Sequence, residues 1–113
     1  MKNRTTAQVL DHHLKAMKVG VDEIMKDYDD DSVVMTPQGT FKGADALRNG
    51  FGALISSFPD GFWDSFTVFH TEVVGDFAFI VWTALPFVEL GTDTLVVRKG
   101  IVVCQTTVSK VAG

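Results

Sequence analysis

A single cysteine, Cys104, is present in the 113 residues, so the chain cannot close a disulfide within itself and suits a reducing compartment. Basic residues are also few. Ten Lys and Arg stand against 14 Asp and Glu, for a net charge of −4, and they are scattered rather than clustered. That distribution lacks the electrostatic footprint of a nucleic-acid binder. No apolar run approaches the length needed to span a bilayer, so no membrane partner is expected. Met1-Lys2-Asn3-Arg4-Thr5 is polar and without the apolar stretch of a secretory signal, which makes the cytoplasm the expected location. Repeats, linkers and low-complexity tracts are absent.

Metal-binding patterns are missing too. His12 and His13 are adjacent, and neighbouring positions on a helix cannot share a metal as an i, i+4 pair can. Asp29-Asp30-Asp31 lacks the glycine and terminal glutamate of a calcium loop and reads as a solvated helix end. Neither metal nor organic cofactor is expected.

What is present is a large apolar fraction, 46% against 21% charged, enough for one globular domain over residues 1–113 with a substantial core. Thr5 and Gln8 form a capping-box pattern ahead of a helical face made by Val9, Leu10, His13, Leu14 and Met17. Gly20 ends that helix. A short second helix follows, with Val21, Ile24, Met25 and Tyr28 on one side. Ser32 to Thr36 is apolar and β-branched, and Pro37-Gln38-Gly39 turns it back through Thr40–Lys42. A third helix spans about Ala44 to Phe58, burying Leu47, Phe51, Leu54, Ile55 and Phe58, and Pro59-Asp60-Gly61 stops it.

The remainder reads as β: Phe62–Val74, Phe77–Glu89, Thr92–Arg98 and Ile101–Lys110, parted by Gly75-Asp76, Leu90-Gly91 and Lys99-Gly100. Connections this short impose an antiparallel meander. Helices first and strands later give an α+β fold with the helices on one face of the sheet. Phe77-Ala78-Phe79-Ile80-Val81-Trp82 is apolar on both faces, which a sheet with one wet face should not show. Either a bend in the sheet covers the outer face or a second copy of the chain does; the exposed aromatic area favours a homodimer.

Asp93 is the residue that points to function. It shares a strand face with Leu95 and Val97, and a carboxyl on an apolar face must be paired, hydrogen-bonded or protonated. Such groups mark sites of chemistry or ligand recognition. His13, on the apolar stripe of the first helix, is either a core histidine satisfied by a carbonyl or water, or a pocket residue bonded to Asp93. Gly50 and Gly52 flank Phe51 within a helix, where each costs about 0.5–1 kcal/mol relative to Ala. They indicate either an enlarged cavity or a kink or close helix–sheet contact. Cys104, within an apolar strand, reads as a small core residue, and His12, one step round from His13, as solvated. Tyr28, Phe58, Trp63 and Trp82 read as core or pocket wall.

The element order resembles the nuclear transport factor 2-like superfamily, and within it the SnoaL-like polyketide cyclase and ketosteroid isomerase branch. The residues carrying the likeness are Gly20-Val21-Asp22-Glu23-Ile24, Asp30-Asp31-Ser32-Val33 ahead of Pro37, Phe41-Lys42-Gly43 with Ala46-Leu47-Arg48, Val81-Trp82-Thr83, Gly91-Thr92-Asp93-Thr94 and Gly100 to Thr106. The resemblance implies a cone, in which a curved antiparallel sheet wraps the N-terminal helices and encloses an apolar pocket. It places the isomerase base at Thr36, which is no base near neutral pH. The oxyanion-hole tyrosine falls at His13 and the protonated oxyanion donor at Asp93. It directs Gln105, Thr107 and Ser109 into the pocket, and sets Gly50 where relatives carry a pocket-filling aromatic. The implied ligand is a small apolar molecule lined by Thr36, Gly50, Leu54, Phe58, Trp63, Trp82, Gln105 and Thr107. If the protein is an enzyme, Asp93 and His13 are its expected catalytic pair for proton transfer at an activated C–H. With the base lost, the residues equally suit a non-catalytic binding or dimerisation module, or a scaffold with a remodelled pocket.

Overall fold

The computed structural model describes residues 4–112. Helix α1 is Thr6–Val19, and its capping box is formed, with the Thr5 hydroxyl accepting from the Gln8 N–H and the Gln8 side chain accepting from the Thr5 N–H. Two orphan donors of the first turn are thereby satisfied. The buried face carries Val9, Leu10, His13 and Ala16. Gly20, at φ 148°, breaks the helix, and α2 (Val21–Ile24) continues into a 3-10 turn over Met25–Asp27.

Strands β1 (Val33–Thr36) and β2 (Gly39–Lys42) form the expected hairpin, and α3 runs Ala44–Ser57. A fourth helix, α4, occupies Phe62–Ser65 and is followed by β3 (Phe66–Val74), β4 (Phe77–Ala84), β5 (Val88–Arg98) and β6 (Ile101–Val111). All six strands join one sheet in the order β2-β1-β6-β5-β4-β3. β3 to β6 are an antiparallel meander, but β1 lies parallel to β6, which the short connections alone did not reveal. Register shifts at Val68/His70, Trp82/Ala84, Val88/Leu90 and Val96/Val97 mark bulges. Bulges bend strands and increase their twist, which suits a sheet that wraps around helices.

Two boundaries and one burial differ from the sequence expectation. Phe62–Ser65 is helical because its rings pack sideways on one another, with Phe58 and Phe62 stacked at 4.0 Å and Trp63 edge-on to both. The β4–β5 connection is Leu85-Pro86-Phe87, so Leu90-Gly91 is mid-strand rather than a turn. Leu54 is 42% exposed, on the rim rather than in the core.

The core lies between α1, α2, α3 and the concave sheet face and contains Val9, Leu10, Ile24, Leu47, Ile80, Leu95 and Val102. Burying each such side chain contributes about 1.5–3 kcal/mol before conformational entropy is charged against it. The convex face carries Phe77, Val74 and Val108, each more than half exposed, beside the half-buried Phe79 and Val81. Cys104 alternates with Gln105, so it lies on this convex side, half-buried, instead of in the core.

Candidate functional site

Strand register builds the site. Asp93 pairs with Ile80 on one side and Thr107 on the other, while Trp82 pairs with Gly91 and Leu95 with Gln105. Side chains alternate along strands, so these residues share the concave face and Asp93 has Trp82 and Gln105 as diagonal neighbours. Three donors meet it there: Trp82 Nε1 at 3.1 Å and Thr107 Oγ1 at 2.9 Å, both on Oδ1, and Gln105 Nε2 at 3.1 Å on Oδ2. Asp93 thus accepts three hydrogen bonds at the position where the resemblance implied a donor to an oxyanion.

The network continues to His13. Since the Gln105 amide donates to Asp93, its Oε1 faces Tyr28, whose hydroxyl donates to it. The Tyr28 hydrogen being spent, His13 Nδ1, 3.3 Å from that oxygen, is the donor of the remaining contact. The direction runs from His13 through Tyr28 and Gln105 to Asp93. Burial, opposed in part by the Asp93 charge, holds the His13 pKa below its ordinary 6.5, so the ring is neutral near pH 7. Nε2 then carries the lone pair of the neutral ring. Tyr28 keeps its proton, because burial, reinforced by Asp27 and Asp93, pushes the phenol well above 10.0.

His13 and Asp93 lie at the polar part of a cavity of about 940 Å³. Gln105, Thr107 and Ser109 line it from β6, and Thr36 and Pro37 from the first hairpin. Gly50, Leu54 and Phe58 contribute from α3 and its C-terminal cap, and Trp63 and Trp82 complete an aromatic wall with Phe62 and Phe66. All ten residues singled out from the sequence therefore border one space. Thr36 is the least available of them, its hydroxyl donating to Gly39 O and accepting from Gln38 N within the turn. Gly50 is in close helix–sheet contact, since a Cβ there would stand 3.3 Å from the Phe41 ring. Phe41, also a lining residue, occupies the room that the missing side chain leaves.

Two residues play parts that sequence reasoning missed. Tyr28 was read as wall, yet it is the link between His13 and Gln105, a contact 77 residues apart in the chain that no local pattern signals. His12 is not solvated. Its Nδ1 is 2.7 Å from both Asp27 carboxylate oxygens and its Nε2 2.7 Å from Glu23, while Arg4 reaches Asp27 from the other side at 2.8 Å. The 3-10 turn carries Asp27 under α1, which converts an apparent surface position into a bridge. Both ring nitrogens donate, and the Glu23 contact leads the effects that raise the His12 pKa above 6.5. Among the described residues, no three His, Cys, Asp or Glu are grouped to hold a metal ion, and no helix is long and apolar enough to cross a membrane.

No protein-family model and no curated protein matches the sequence. Solved structures do match. A nuclear transport factor 2-like protein of unknown function from Cytophaga hutchinsonii is 13% identical, over 97% of this chain and 95% of its own, with a TM-score of 0.76. A candidate isomerase of the SnoaL-like family from Agrobacterium tumefaciens is 13% identical over 93% and 97%, with a TM-score of 0.71. A candidate ketosteroid isomerase from Kribbella flavida is 16% identical over 92% and 76%, with a TM-score of 0.70. At these identities the likeness concerns fold, which hosts many unrelated functions. The curved six-stranded sheet wrapped on N-terminal helices is the nuclear transport factor 2-like fold, shared with SnoaL-like and ketosteroid isomerase-like proteins.

Proposed function

We propose that this protein binds a small, largely apolar molecule in the cavity, with the polar end of the ligand at Asp93 and His13. The observation that carries the reading is a mostly apolar space of about 940 Å³ whose convergent polar groups are organised into one directed network. Ligand sites are concave and mainly apolar, with a few fixed polar groups, and this volume falls in their usual range of about 300–1,000 Å³. A thermal-shift screen of small apolar compounds tests it. Stabilisation by a ligand in the native chain, lost when Leu47 and Phe51 are left intact but Trp82 and Gln105 are replaced by Leu, supports the cavity as the site; a screen without any stabilising compound counts against it.

Proton transfer is a second reading, favoured by the neutral His13, whose Nε2 carries the lone pair. A base must reach the substrate proton with the right protonation state, and a buried neutral imidazole meets the second requirement. Isomerisation by the ketosteroid route is disfavoured, because Thr36 stands where the resemblance puts the base and is no base near neutral pH. Replacing His13 by Gln should abolish turnover of a ligand that the variant still binds, and surviving turnover would count against His13 as the base.

The convex sheet face supports a homodimer. Phe77, Phe79, Val81, Val96 and Val108 alternate outward on three adjacent strands, giving an apolar surface that monomers rarely leave in water.

A further inference from the structure

We infer that the ligand of this cavity is an organic cation, an amine on an apolar body whose ammonium group sits at Asp93. This deepens the proposed binding role and rests on it.

The charge inventory carries the argument. Thirty residues line the cavity, and the ionisable groups among them are His13 and Asp93; no Lys or Arg is included. Trp82, Gln105 and Thr107 fix the Asp93 carboxylate, but all three are neutral donors. They orient the charge without cancelling it. His13 does not cancel it either, since burial keeps the imidazole neutral. Lys18 packs on the Trp63 ring at 5.9 Å, but it is exposed and outside the lining, where solvent screens it. The cavity therefore holds a net negative charge inside apolar walls, where electrostatic interactions are stronger than in water.

Hydrogen-bond polarity points the same way. At Asp93 itself the capacity left open is that of an acceptor, about one lone-pair site beyond the three donors it has, so it calls for a ligand that donates. A carbonyl oxygen at Asp93 would set acceptor against acceptor, and an anionic ligand would meet an uncompensated carboxylate. An ammonium supplies that donor through a charge-assisted bond.

Three probes with one body separate the possibilities: para-phenylbenzylamine, para-phenylbenzyl alcohol and para-phenylbenzoate, titrated into the native protein by calorimetry near neutral pH. The amine should bind about tenfold or more tighter than the alcohol, as charge-assisted bonds exceed neutral ones, and the benzoate should bind weakest. In Asp93→Asn the amine and alcohol should bind within a few fold of each other. Equal affinities in the native protein, or preference for the benzoate, overturns the cation while leaving the binding cavity standing. Survival of the amine preference in Asp93→Asn overturns Asp93 as its counter-ion. Failure of all three probes to bind removes the cavity reading, and the cation with it.

Discussion

Trp82 lies flat over Gly91, its register partner on the neighbouring strand, in the space where any other residue would carry a side chain. A Cβ built on Gly91 would fall well inside contact distance of the indole carbons. The glycine thus sets the ring in position to donate from Nε1 to Asp93. Gly91→Ala should push the indole off the carboxylate, costing about 1–3 kcal/mol as overpacking does. Urea denaturation and the change in tryptophan emission check this. Native stability together with native emission would show that the indole does not depend on Gly91.

Removing the hydroxyl of Tyr28 tests the network from its middle. Tyr28→Phe conserves the ring packing against Phe51 at 5.2 Å but leaves the buried Gln105 Oε1 and His13 Nδ1 without a partner. An unsatisfied buried polar group costs about 1–3 kcal/mol, so the variant should unfold at lower urea with an unchanged denaturant slope. If stability is unaffected, the hydroxyl contributes no net energy and the His13–Gln105 link is incidental.

Periodicity made α1, α3, the first hairpin and the meander legible, because their buried faces repeat locally. It also placed His13 and Asp93 inward, since each occupies an apolar stripe. Other features depend on contacts between distant residues. Gly91 imitates a turn signal, and only the indole arriving from β4 explains a glycine in mid-strand. Phe62–Ser65 has β-like composition, yet packing among Phe58, Trp63 and Phe66 makes it a helix. The partners of Asp93 were likewise hidden: an apolar face called for a paired, hydrogen-bonded or protonated carboxyl, and the three donors that meet it come from β4 and β6.

Gly50 gives a test of helix–sheet contact. Gly50→Ala gains helix propensity of about 1 kcal/mol, set against a Cβ 3.3 Å from the edge of the Phe41 ring. The ring is a half-buried side chain that has room to shift by a few tenths of an ångström, so the variant should be stabilised. Gly50→Phe should instead be destabilised, because its ring competes with Phe41 for the same space. Melting temperatures of the two variants moving in the same direction would contradict this account.

The convex face predicts that Phe79→Lys, which sets a charge in the middle of the apolar strip, shifts the protein toward monomer. Circular dichroism should be unchanged, as Phe79 points away from the core. Light scattering at micromolar concentration reads the result, and a native chain already monomeric there would remove the dimer.

Neighbouring histidines on α1 should give opposite dependences of stability on pH. His12 donates to Glu23 and Asp27, with Arg4 and Lys26 also facing the cluster, and its folded pKa is raised above 6.5. The folded state then binds the proton more tightly than the unfolded state. Its contribution is complete below 6.5 and is lost as the pH rises through the folded value. His13 faces Tyr28, Phe51 and the cavity with Asp93, and burial lowers its folded pKa below 6.5. Here the unfolded state binds the proton more tightly, so stability falls as the pH drops from 6.5 through the lower folded value. The sum is a maximum in stability near neutrality, with each limb belonging to one ring. Urea midpoints measured across pH should show His12→Gln flattening the alkaline limb and His13→Gln flattening the acid limb. Histidine Hε1 resonances should titrate on opposite sides of 6.5. Both rings titrating on the same side would mean that the Glu23–His12–Asp27 bridge or the burial of His13 is absent in solution.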